Sequence, residues 1–166
     1  MEETINSLND LERYLNNNKY SFDVYNSDII TMTIDENCIM IDVVLFEVNH
    51  MIYRNLFENI WTDPRNTYFT IRLTYYKPKI ITNTIDMSDI FFAKINEHIN
   101  INHNHVRFEL DGDPSDFEND REYILEFEYE SLEWKVLGIE DSGFFKRMCQ
   151  SKKDEKQQNK KYNWRK

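Results

Sequence analysis

Three glycines, three prolines and a single alanine in 166 residues leave almost nothing from which to build a phosphate-cradling loop. Such loops need several backbone N–H groups unhindered by Cβ, and the three glycines are too scattered to supply them. A Gly-x-Ser-x-Gly elbow and a His-Glu-x-x-His helix are also missing, so no signature of nucleophilic or zinc-protease catalysis is present. Long apolar runs are equally scarce. The longest, Val43–Phe46 and Ile90–Ala93, are four residues each, whereas a spanning helix needs about 20. Met1-Glu2-Glu3 offers neither the basic nor the apolar stretch of a secretory leader. Only Cys38 and Cys149 could pair, and Cys149 adjoins a basic segment. Two reduced thiols in a cytoplasmic protein, with no membrane partner, are therefore expected.

Negative charge is plentiful, and it is unevenly spread. Residues 1–145 hold 28 Asp+Glu against 11 Lys+Arg, and residues 146–166 hold 2 against 9. An acidic globular domain over 1–145 is expected to carry a basic, flexible tail over 146–166. Net charge selects partners through its long-range field, so the body should be repelled by bare nucleic acid and by anionic lipid. Eleven Phe, ten Tyr, three Trp and eighteen Ile supply a sizeable core. Nineteen Asn with so little Ala and Gly fits an AT-rich genome, viral or low-GC bacterial.

Period along the chain predicts the elements. Ile5, Leu8, Leu11 and Leu15 recur at helical spacing behind an acidic first turn, which gives a helix over about 3–16. Tyr20, Phe22 and Val24, then Ile30, Met32 and Ile34, alternate as a strand pair. The β-branched run Ile39–Phe46 reads as a buried strand. Val48, Met51, Ile52, Leu56 and Ile60 predict a second helix, stopped near Asp63-Pro64. Phe69–Tyr75 and Ile80–Ile85 flank Lys77-Pro78-Lys79 as a first β-hairpin. Ser88 caps a third helix carrying Phe91, Ile95 and Ile99. Val106, Phe108 and Leu110 form a strand, and Leu125–Tyr129 with Leu132–Val136 a second hairpin. The expected fold is α+β: one domain, a largely antiparallel sheet, about three helices and two hairpins.

Candidate sites follow from charge. Between Glu109 and Asp141 thirteen carboxylates meet two basic residues. On an extended strand Glu126, Glu128 and Glu130 share one face at about 6.6 Å spacing, a row that a cationic surface would relieve. With Glu133, Asp116 and Glu118 they form the candidate partner-binding set. The expected partner is a basic protein surface, such as that of a nuclease or nucleic-acid-binding protein. Size and charge are compatible with small non-enzymatic inhibitors, such as immunity proteins that block nuclease toxins or viral proteins that block host defence, though no motif is shared. In the tail, Lys152, Lys153, Lys160, Lys161 and Trp164 could hold nucleic acid by phosphate contact and stacking. That would suit an accessory component of a nucleoprotein or virion assembly.

Metal chemistry has weaker candidates, and no cofactor is expected. His103 and His105 with Asp111 or Asp113 could hold zinc. Asp111, Asp113, Ser115 and Glu122 match a calcium loop except at its essential glycine, where Asp116 stands. Asp113 with Glu133-Trp134-Lys135 resembles the spacing of metal-dependent nucleases, but this composition produces about two acidic-x-Lys triplets by chance, and two occur.

Overall fold

The structure, a computed structural model, describes residues 7–45, 67–91, 93–112 and 121–141. The helix expected over 47–63 and the basic tail lie outside them. One α-helix, α1 (Leu8–Asn17), opens the described chain with Ser7 as its cap, the Ser7 hydroxyl accepting from the Asp10 amide at 3.1 Å. Eight strands follow: β1 (Asp28–Ile34), β2 (Cys38–Leu45), β3 (Thr67–Tyr76), β4 (Lys79–Asn83), β5 (Ile95–Asn102), β6 (His105–Asp111), β7 (Glu122–Glu128) and β8 (Ser131–Asp141). They form two antiparallel four-stranded sheets, ordered β1-β2-β3-β8 and β4-β7-β6-β5.

Alternation sorts the side chains between the layers. Ile39, Ile41, Val43, Phe69, Ile71, Leu73, Tyr75 and Trp134 of the first sheet meet Val106, Phe108, Leu110, Tyr123, Leu125 and Phe127 of the second in one continuous core. Leu11 and Leu15 of α1 join it. The expectation of a buried strand holds for β2, where Val44 and Asp42, which point away from this core, are also buried.

Neither expected hairpin forms. β3 pairs with β8, and β4 pairs with β7. The links Lys77-Pro78 and Tyr129-Glu130 run side by side from one sheet to the other, joined by Glu130 N–H donating to Tyr76 O at 2.9 Å and by a 3.4 Å Lys77–Glu130 ion pair. One long two-stranded ribbon thus bends across both layers. At Tyr129-Glu130 the cause is turn chemistry. A two-residue hairpin loop needs positive φ, at both positions for type I′ and at the first for type II′. Neither Tyr129 nor Glu130 has positive φ, so neither loop fits there; at the other link Lys77 has φ 51° and proline fixes Pro78 at negative φ, which excludes type I′ alone. These turns redirect the chain without reversing it. The hairpins present are β1–β2, β5–β6 and β6–β7.

The third helix expected from Ser88 is also replaced. A single 3-10 turn, Met87–Asp89, is capped by the Asp86 carboxylate, and from Ile95 the chain is strand β5. Isoleucine and asparagine are poor helix formers, and pairing with β6 overrides the i, i+4 spacing. Tyr20–Val24 is likewise not a strand. It is an irregular segment along the edge of β5, and Asn26 at φ 65° then turns the chain into β1. A bulge in β1 between Ile29 and Thr31 sends Ile29 inward in place of Ile30, while Met32 is buried and Ile34 packs against the core as the alternation predicts.

On the outer face of the first sheet Arg72 donates from Nε and Nη2 to the two oxygens of Asp42 at 2.7 and 2.9 Å. Asp42 is only 7% exposed. Arg72→Met strands that carboxylate, and we expect a loss of about 2 kcal/mol, below the full cost for a buried pair because the arginine itself is partly in water. The double variant with Asp42→Val should recover most of it in urea denaturation; no recovery would show the charge pair is not the cause.

Candidate functional site

The outer face of the second sheet is where the acidic residues collect. On β6 and β7 every second side chain is buried, namely Val106, Phe108 and Leu110, then Tyr123, Leu125 and Phe127. Their neighbours His105, Arg107, Glu109 and Asp111, and Glu122, Ile124, Glu126 and Glu128, therefore point outward. Register adds Glu97 of β5 opposite Glu109, and Lys79 of β4 opposite Glu128. Six carboxylates thus share this face with two permanent cations, Lys79 and Arg107.

Two pairs of carboxylates stand directly across from one another, Glu97 opposite Glu109 and Asp111 opposite Glu122. Directly opposed like charges cost a sheet stability. Arg107 relieves part of this by donating to Glu109 at 3.1 and 3.3 Å and to Glu126 at 3.4 Å. Hydrogen bonds to Glu109 and then to Glu126 push the guanidinium above its ordinary pKa. His105 Nε2 lies 3.4 Å from Glu126 Oε2. At the acidic end Gly112 N–H donates to Arg121 O at 2.7 Å and Tyr123 Oη donates to Asp89 Oδ2 at 2.6 Å. A Cβ at Gly112 would stand 2.5 Å from that Asp89 oxygen, so any larger residue there must displace the carboxylate that Tyr123 holds.

The expected single-strand row is therefore only partly realised. Glu126 and Glu128 face outward as read, but Glu126 is engaged with Arg107 and His105. Glu130 sits in the Tyr129-Glu130 corner against Lys77, and Glu133 is on β8 in the other sheet, accepting from Tyr76 Oη at 3.2 Å. The corner breaks the ladder because the strand changes sheets there. Asp116 and Glu118 lie outside the described residues. Sequence reasoning missed Glu97 and the opposed pairs, because cross-strand register leaves no trace in spacing along one strand.

The metal candidates do not converge among the described residues, where no group of three His, Cys, Asp or Glu is placed to hold an ion. His103, in the β5–β6 turn, stacks on Tyr20 with ring centroids 4.6 Å apart. His105 and Asp111 point outward from β6. Glu133 and Lys135 share the outer face of β8, beside Tyr76 and Arg72. Asp113, Lys152, Lys153, Lys160, Lys161 and Trp164 lie outside the described residues.

No described helix is long and apolar enough to cross a membrane. No family model, curated protein or solved structure matches the chain.

Proposed function

We propose that this is a non-enzymatic binding protein that lays the outer face of its second sheet on a basic surface of a macromolecular partner. The observation that carries this reading is the opposition of Glu97 to Glu109 and of Asp111 to Glu122. A partner's lysines and arginines would turn that repulsion into attraction, speeding association and making it salt-dependent. Glu128, exposed beside Lys79, extends the same surface. An inhibitory role toward a nuclease or another nucleic-acid-binding protein suits this charge.

The test is a triple variant, Glu97→Gln, Asp111→Asn, Glu122→Gln. Neutralisation should stabilise the isolated protein slightly, by about 0.5 kcal/mol, while cutting capture of its partner from a host lysate at low salt by about tenfold or more. Capture that keeps its strength and its salt sensitivity would rule the reading out. The alternative, an accessory role in a nucleoprotein assembly anchored by residues 146–166, rests on their charge of +7. Deleting them should then abolish retention on nucleic acid and leave the first activity intact.

A further inference from the structure

Two isoleucines interrupt the acidic face of the second sheet. Ile99 stands opposite the outward-pointing Arg107 and is 42% exposed, and Ile124, opposite Glu109, is half-buried between Glu122 and Glu126 on its own strand. Apolar side chains therefore alternate with carboxylates on this face, at about 6.6 Å spacing along each strand. A purely ionic occupant would leave them in water.

The same chain carries a segment of matching pattern. Residues 146–166 hold nine Lys+Arg against two Asp+Glu, and the last seven, Lys160-Lys161-Tyr162-Asn163-Trp164-Arg165-Lys166, set two aromatic rings among four cations. In extended form Lys160, Tyr162, Trp164 and Lys166 share one side. Aromatic rings and lysine stems cover apolar surface while their polar ends stay in water, so this stretch suits isoleucines set among carboxylates. Its reach is sufficient. The described chain ends at Asp141, opposite Thr67 of β3, and the nineteen residues from Ser142 to Lys160 span about 60 Å at full extension. A domain of about 145 residues has a radius of gyration of only about 15 Å. The outer face of the first sheet is a poorer match, because Arg72 already holds Asp42 and Tyr76 donates to Glu133, with Lys135 alongside.

We propose that residues 146–166 dock on the outer face of the second sheet of their own chain, as an internal occupant that a basic partner must displace. Tethering presents their cations at an effective concentration on the order of millimolar, so a contact too weak to hold between separate molecules persists within one. Salt weakens it. The displacement rests on the reading of this face as the partner's docking surface, whereas the internal contact does not.

A nitroxide at residue 158 reads the contact directly. In the full chain with Cys38→Ser, Cys149→Ser and Gln158→Cys, the paramagnetic label should cut the NMR amide signals of Glu97, Ile99, Glu109 and Ile124 by about half or more at low salt, and about 0.5 M salt should restore them. Signals of Thr33 and Thr74, on the outer face of the first sheet, should keep their intensity. Polylysine, standing in for a basic partner, should restore the signals by displacement, and Lys152→Gln, Lys153→Gln, Lys160→Gln and Lys161→Gln together should abolish the broadening. Broadening that is absent, spread evenly over both sheets, or reproduced between labelled and unlabelled molecules in a mixture would overturn the proposal. Polylysine that binds without restoring the signals would overturn the displacement. The carboxylate variant Glu97→Gln, Asp111→Asn, Glu122→Gln separates the two readings: lost broadening with unchanged capture from lysate upholds the internal contact and removes the partner from this face.

Discussion

Asp28→Asn is expected to leave stability nearly unchanged near pH 4 and to raise it strongly at pH 8. Asp28 begins β1 at the seam between the sheets, bridging to Lys94, where Ile29 N–H donates to Ala93 O and Ile95 N–H to Ser27 O, both at 2.9 Å. Burial there pushes its carboxyl up to about 7, against the downward pull of Lys94. A carboxyl whose pKa is higher folded than unfolded binds more protons in the folded state. Its favourable contribution is complete below about pH 4 and disappears as pH climbs to 7. At 1.36 kcal/mol per pKa unit the full swing is about 4 kcal/mol, an upper bound for a site that retains some water. Asparagine keeps the shape without the charge. Asp35 is held low by hydrogen bonds from Cys38 and Asn37, and Asp86 by those from Ser88, so their contributions change only at more acid pH. Urea titrations of both proteins between pH 4.5 and 8 decide the matter: a gap that does not widen with pH removes this account of Asp28.

Asn16→Ala should cost about 3 kcal/mol and open the edge of β8, because two backbone groups lose their partners at 1–3 kcal/mol each. The Asn16 carboxamide pairs with Trp134 as a neighbouring strand would, donating from Nδ2 to Trp134 O and accepting from Trp134 N, both at 2.9 Å. Glu12 Oε1 accepts from Val136 N at 3.0 Å, and Lys19 Nζ donates to Leu132 O at 3.0 Å. Four helical residues rise about 6 Å and two strand residues about 6.6 Å, so side chains at 12 and 16 meet backbone at 136 and 134, and Lys19, just past the helix, reaches 132. An uncovered edge invites pairing with a second chain. Hydrogen exchange at the Trp134 amide should accelerate in the variant, and self-association should appear on sedimentation. Unchanged protection of that amide would mean that Asn16 does not guard the edge.

Helix α1 and strands β6 and β7 were legible because each carries a single clear period and packs as that period demands, and β2 because its β-branched run suits a buried strand. β5 was not, since Phe91, Ile95 and Ile99 satisfy helical spacing while the sheet uses the same residues in extended form. The two corners were misread for a different reason. Alternation on both sides of a short polar break is shared by a hairpin and by a strand changing layers, and at Tyr129-Glu130 it is the φ demands of a hairpin loop that separate them. For the acidic face, alternation foretold that Glu126 and Glu128 would point outward. It could not pair Glu97 with Glu109 or Asp111 with Glu122, because those neighbours are created by register alone.

The ribbon that passes through both corners ties recognition to rigidity. Strands β7 and β8 form one nearly unbroken length of chain, so loosening the layer that bears the carboxylates also strains the layer anchored by Trp134. A mate settling on those carboxylates would meet charges already held in position, and little ordering entropy would oppose the encounter.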